Sequence, residues 1–145
     1  MYSFTVTTEI AAAPARVWRA LCDPVEVVRW DSGVTEAIDA PPDYPQPGQH
    51  VRWRYAGGRI LHDRPQQVVP ERTLRSLIAV GPVHADETYT LEATPDGRTH
   101  LTTSLRIGVA WPILGVLAAR IYFGPATRRS VAASMAALKR HCEAR

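Results

Sequence analysis

The chain has 145 residues, a length that predicts one domain over 1–145. A domain of this size buries roughly two-thirds of its unfolded surface, so it needs no disulfide or metal staple. Its formal net charge is +3, with Lys139 the only lysine among 17 basic residues. Residues 1–50 carry three basic and seven acidic residues, and 51–145 carry fourteen and seven. The basic residues are scattered rather than massed, and no binding motif accompanies them, which argues against a nucleic-acid partner.

Tyr2, Phe4, Val6 and Ile10 alternate with Ser3, Thr5, Thr7 and Glu9, which predicts a first strand. Pro14 opens a helix with Val17, Trp18 and Leu21 on one side and Arg16 and Arg19 on the other. Trp18 is expected in the core between that helix and the sheet. Asp23-Pro24 breaks the helix, and a second short helical segment runs to Trp30. Gly33 to Ala40 reads as a strand. Pro41 to Gly48 holds four prolines and reads as a loop.

Gln49 to Tyr55 alternates again, with Val51, Trp53 and Tyr55 on one face. Gly57-Gly58 reads as a hairpin turn. Arg59 to Val69 is a longer strand with Pro65 inside it, so it is bulged there or unpaired. Thr73 to Val80 follows, then the turn Gly81-Pro82. Val83 to Ala93 alternates strictly, with Val83, Ala85, Glu87, Tyr89, Leu91 and Ala93 on one face. Thr94-Pro95-Asp96-Gly97 turns the chain back into Arg98 to Val109.

The last quarter reads as a helix from Pro112 to about Cys142, kinked at Gly124-Pro125. Val131, Met135, Leu138 and Cys142 recur at helical spacing and mark a face packed on a sheet. A run of antiparallel strands with helices at both ends is an α+β pattern.

The order β-α-α-β-β-β-β-β-β-α resembles the helix-grip fold of the START and Bet v 1-like (SRPBCC) superfamily. It is most similar to the bacterial polyketide cyclase/dehydrase and lipid-transport branch. The residues that carry the resemblance are Ile10, Pro14, Val17, Trp18, Leu21, Asp23-Pro24 and Trp30. Further along they are Val68 with Pro70-Glu71-Arg72, Asp96-Gly97 followed by Leu101-Thr102, and Leu138-Lys139. The resemblance implies a curved antiparallel sheet of about seven strands wrapped around a long C-terminal helix. A ligand cavity would lie between them, with the two short helices closing one end. Members include lipid carriers, hormone receptors and aromatase/cyclases, so the fold alone does not decide the activity.

Glu87 is the first candidate for chemistry. Alternation puts it on the inward face with Tyr89, where burial raises a carboxyl's pKa and makes a general acid or base. A place near the strand end, or an arginine partner, would make it structural instead. His62 is the second. It faces inward, towards Glu87, if Val68 does and the strand is regular; a bulge at Pro65 sends it outward. Arg120 is the only charge from Trp111 to Phe123. It either reaches the cavity mouth and meets an acidic ligand group or turns to solvent. Trp30, Trp53, Tyr55, Tyr89, Trp111 and Tyr122 form an aromatic set suited to a flat or long apolar ligand.

The stretch 111–123 is too short to span a bilayer, which takes about twenty residues. It reads as a lid or a homodimer surface before a membrane-docking segment. No His, Cys, Asp or Glu cluster has metal-ligand spacing, no glycine-rich phosphate loop is present, and no cofactor is expected. Cys22 and Cys142 read as reduced thiols, and no charged-then-apolar leader precedes the first strand, so a cytoplasmic location is expected. Three functions follow: binding of a small apolar, lipid- or polyketide-like ligand; a cyclase/dehydratase-type enzyme built on Glu87; and a dimeric interaction module with a vestigial cavity.

Overall fold

Seven strands form one antiparallel sheet in the order β1-β7-β6-β5-β4-β3-β2 in the computed structural model, which describes residues 1–144. The strands are β1 (Tyr2–Ile10), β2 (Val34–Ala37), β3 (Val51–Tyr55), β4 (Ile60–Val69), β5 (Thr73–Val80), β6 (Val83–Ala93) and β7 (Thr99–Val109). Two short helices, α1 (Pro14–Cys22) and α2 (Pro24–Trp30), follow β1. The chain ends in α3 (Gly115–Ala118), a π turn (Ala119–Phe123) and α4 (Gly124–Glu143), which together make one continuous helix over 115–143. The architecture is the α+β helix grip: a curved antiparallel sheet around a long C-terminal helix.

Period-2 patterning decides which face of each strand meets that helix. On β7, Thr99, Leu101, Thr103, Leu105 and Ile107 are buried in succession. On β1, Phe4 and Ile10 are buried while Ser3, Thr5, Thr7 and Glu9 face solvent. Met135, Leu138 and Cys142 are the buried face of α4, with Val131 packed beside them. The Thr103 hydroxyl donates to Met135 Sδ at 3.2 Å, tying helix to sheet.

Asp23 explains the break between the short helices. Pro24 occupies the first turn of α2, and the Asp23 carboxylate accepts from the Val25 N–H at 2.9 Å. The Trp30 indole N–H then donates to the Ala20 carbonyl at 2.8 Å and fixes α2 against α1. Trp18 packs, partly buried, on the main core cluster.

Two expectations about element boundaries are corrected. β2 is only Val34–Ala37, shorter than 33–40. Beyond it, the Asp39 carboxylate accepts from the Arg52 N–H at 2.7 Å, where a neighbouring strand would otherwise bond. The C-terminal helix starts at Gly115 rather than Pro112, with the Gly115 N–H bonded to the Trp111 carbonyl at 3.0 Å. At Gly124-Pro125, where a kink is expected, the helix runs on. The π turn just before it widens the backbone where Pro125 supplies no N–H.

No helix among the described residues is long and apolar enough to cross a membrane.

Candidate functional site

A cavity of about 600 Å³ lies between the sheet and the C-terminal helix. Trp30, at the end of α2, lines one end. Trp53 and Tyr55 on β3 and Leu74 on β5 form part of the sheet wall. From the helix side come Tyr122 and Phe123 of the π turn, then Thr127, Ser130 and Ser134 of α4. A volume of several hundred Å³ suits a drug-sized ligand. The filled interior expected of a vestigial cavity is not found.

Glu87 faces this cavity from β6, paired in register with Ser76 on β5 and Leu105 on β7. It is neither at a strand end nor in a salt bridge; its outward neighbour Asp86 takes the arginine, Arg75, at 2.8 Å. Burial pushes the Glu87 carboxyl up to about 8, and the nearby Asp63 and Asp31 add to the rise. The Tyr89 hydroxyl beside it works in the opposite direction. Near neutrality Glu87 is therefore mostly a protonated acid, able to donate to a ligand oxygen and to return as a base.

Two further carboxyls line the cavity. Asp63 on β4 accepts from the Tyr44 hydroxyl at 2.5 Å and the Trp53 indole N–H at 3.2 Å, both on Oδ2. Its Oδ1 is buried without a hydrogen-bond partner. Burial raises its pKa, against the pull of the Tyr44, Trp53 and Ser76 side chains. Asp31, the C-cap of α2, accepts from the Gly33 N–H at 3.0 Å. Burial raises its pKa too, and that bond opposes the rise.

Sequence reasoning missed Asp31, Asp63 and Tyr44. Asp63 was within reach: the β4 register shifts between Pro65 and Gln67. An extra residue there reverses the facing of everything before it, so Asp63 and Pro65 are buried instead of Arg64 and Gln66. Asp31 and Tyr44 follow a helix end and sit in the proline-rich loop, where no periodicity reports facing.

The same bulge corrects the inward placement of His62. It lies on the outer face of the sheet, where its Nδ1 meets His50 Nε2 at 2.8 Å, and it is not part of the cavity wall. Trp30, Trp53, Tyr55, Tyr89 and Tyr122 do line the cavity, Tyr122 from the rim with 67% exposure. Trp111 does not; it packs edge-on against Phe123, ring centroids 5.5 Å apart, and is 46% exposed. Arg120 is exposed and outside the wall. Arg120 thus takes the solvent-facing one of its two expected placements, and Trp111 precedes the helix that starts at Gly115. Among the described residues, no group of three or more His, Cys, Asp or Glu could hold a metal ion.

A family model described as polyketide cyclase / dehydrase and lipid transport matches residues 1–143. No curated protein matches the chain. Solved structures similar to it include the Aha1 dimer from Colwellia psychrerythraea, with a TM-score of 0.76 at 16% identity over 99% of this chain and 98% of that one. A conserved protein from Geobacillus kaustophilus gives 0.76 at 16% identity, covering 98% and 95%. DynU16, from the dynemicin biosynthetic locus, gives 0.70 at 20% identity, covering 99% of this chain and 48% of that one. At these identities the likeness is one of fold.

Proposed function

The chain belongs to the polyketide cyclase / dehydrase and lipid transport family, and from that premise we propose that it binds a small apolar ligand in the cavity between sheet and C-terminal helix. The observation that carries this reading is the cavity itself: about 600 Å³, walled by aromatic and aliphatic side chains, with a few buried polar groups to orient a guest. Trp30, Trp53, Tyr55, Tyr89 and Tyr122 supply flat apolar surface, and the hydroxyls of α4 offer further hydrogen bonds. A thermal-shift series with apolar compounds tests it. Stabilisation by at least one compound, lost when Ser134→Trp fills the cavity, is expected. No stabilisation by any of them overturns the reading.

A second reading, a cyclase/dehydratase-type enzyme, is favoured by Glu87. A protonated carboxyl facing a largely apolar cavity beside the Tyr89 hydroxyl suits proton transfer on a carbonyl-bearing substrate. The acid would donate to a carbonyl oxygen, and the carboxylate so formed would take a proton from an adjacent carbon. Under this reading Glu87→Gln abolishes turnover and leaves ligand affinity within about twofold, a change of under half a kcal/mol. Turnover that survives the substitution rejects it.

The exposed apolar stretch supports pairing of two copies as part of the proposal. Ile113 is 91% exposed, and Leu114, Val116, Leu117 and Ile121 are exposed with it. The Colwellia relative of similar fold is a dimer. A cytoplasmic location completes the reading: Cys22 and Cys142 are buried free thiols, which suits a reducing compartment. Burial pushes them up to about 12 and about 11.

A further inference from the structure

The charges in the cavity are lopsided. Asp31, Asp63 and Glu87 reach it from three different elements. The one arginine on the wall, Arg59, is exposed. Among the described residues none of the three carboxyls forms a salt bridge, whereas Glu26, Glu36, Asp39 and Asp86 each meet an arginine. In a chain with sixteen arginines, three carboxyls on one cavity wall are left without one.

Asp63 supplies an independent observation. The residue is 6% exposed, yet its Oδ1 has no hydrogen-bond partner while Oδ2 takes two donors. A buried acceptor left in this way carries the desolvation cost of a hydrogen bond that is not made. A donor on a ligand would remove that cost. A cation would also offset the repulsion between these carboxyls and favour the ionised form of Glu87. An anionic ligand would instead bring a like charge into a poorly hydrated space.

We infer that the cavity accepts an apolar ligand whose polar end is a protonated primary or secondary amine, seated among Asp31, Asp63 and Glu87 with its skeleton against the aromatic wall. This rests on the ligand-binding reading above and narrows it to a chemical class.

The test is a charge series on one skeleton: 1-naphthylmethylamine, 1-naphthylmethanol and 1-naphthoate, titrated calorimetrically at pH 7.5. The amine is expected to bind at least about tenfold more tightly than the alcohol, some 1.4 kcal/mol, and the carboxylate most weakly. The Asp63→Asn/Glu87→Gln variant should bind amine and alcohol alike. Asp31→Asn, which leaves the deeper pair intact, should narrow the preference, and it stands in if the double variant does not fold. Alcohol binding with no gain for the amine, or an amine preference that survives these substitutions, overturns the inference and leaves the cavity reading standing. Binding of none of the three overturns both.

Discussion

The Tyr44 hydroxyl donates to Asp63 Oδ2 at 2.5 Å, and so a residue of the proline-rich loop 41–48 holds a carboxyl at the heart of the cavity. The Tyr44 ring also packs edge-on against Trp53, centroids 5.7 Å apart, and the Trp53 indole donates to the same Oδ2. Loop, β3 and β4 therefore meet at one oxygen. This leaves Oδ1 as the free acceptor on which the amine inference depends.

Tyr44→Phe removes one donor from that oxygen and keeps the ring. The expected loss is about 1–3 kcal/mol of stability, read by urea denaturation, because a buried carboxyl loses its shorter hydrogen bond. Combined with Asp63→Asn, the loss should be less than the sum of the two single losses, since both act on one contact. Strict additivity would place the hydroxyl's role elsewhere.

Glu87 predicts an unusual slope of stability with pH. Its folded pKa of about 8 lies above the ordinary 4.5. The folded state therefore holds a proton that the unfolded chain releases between those values. Its stabilising contribution is complete below about 4.5 and is lost as pH rises towards about 8, at up to about 1.4 kcal/mol per pH unit. Melting temperatures measured from pH 5 to 8.5 should fall, and Glu87→Gln should flatten that fall. Glu26 acts in the opposite sense. Burial raises it, but hydrogen bonds from His141, Arg16 and Arg19 outweigh this and hold it at about 2. Its contribution is present above about 4.5 and lost as pH drops towards about 2, outside the measured window.

Gly124 sets two effects against each other. Alanine is the better helix former by about 1 kcal/mol. A Cβ at Gly124, however, would run into the Tyr2 ring of β1 and the Ala119 carbonyl oxygen. Overpacking of this kind costs about 1–3 kcal/mol, and a backbone atom yields less than a side chain. Gly124→Ala should therefore destabilise, and Tyr2→Ala should recover part of the loss. A stabilised Gly124→Ala would show that helix and β1 separate easily.

Ile113→Asp tests the exposed apolar stretch. Ile113 is the most exposed of the large apolar residues there, so the substitution should leave monomer stability within about 0.5 kcal/mol. Sedimentation velocity over a concentration series should show self-association in the parent chain and its loss in the variant. An unchanged distribution would remove dimerisation through this surface.

Much of the fold was legible because local patterns agreed. The alternation of β6 is unbroken, so the facing of Glu87 and Tyr89 could be read directly, and Asp23-Pro24 marked the join between α1 and α2. The cavity's polar content was less legible. One extra residue near Pro65 reverses the facing of β4 before it and exchanges His62 for Asp63. The partner of Asp63 comes from Tyr44 in a loop with no period. In the C-terminal segment an apolar run is compatible with several helix starts. Trp111 precedes the start at Gly115 and lies off the wall with Arg120, while Tyr122 stays on its rim. Facing errors of this kind arise wherever a strand or helix gains a residue that the hydrophobic pattern does not record.

Native mass spectrometry of the freshly purified chain tests the central claim most directly. A protein with a cavity of about 600 Å³ for an apolar guest should carry a small-molecule adduct under gentle ionisation, or acquire one after incubation with a cellular metabolite extract. The adduct should be absent in Ser134→Trp. A bare chain under both conditions, or an adduct that Ser134→Trp retains, would contradict the assignment of this cavity as the binding site.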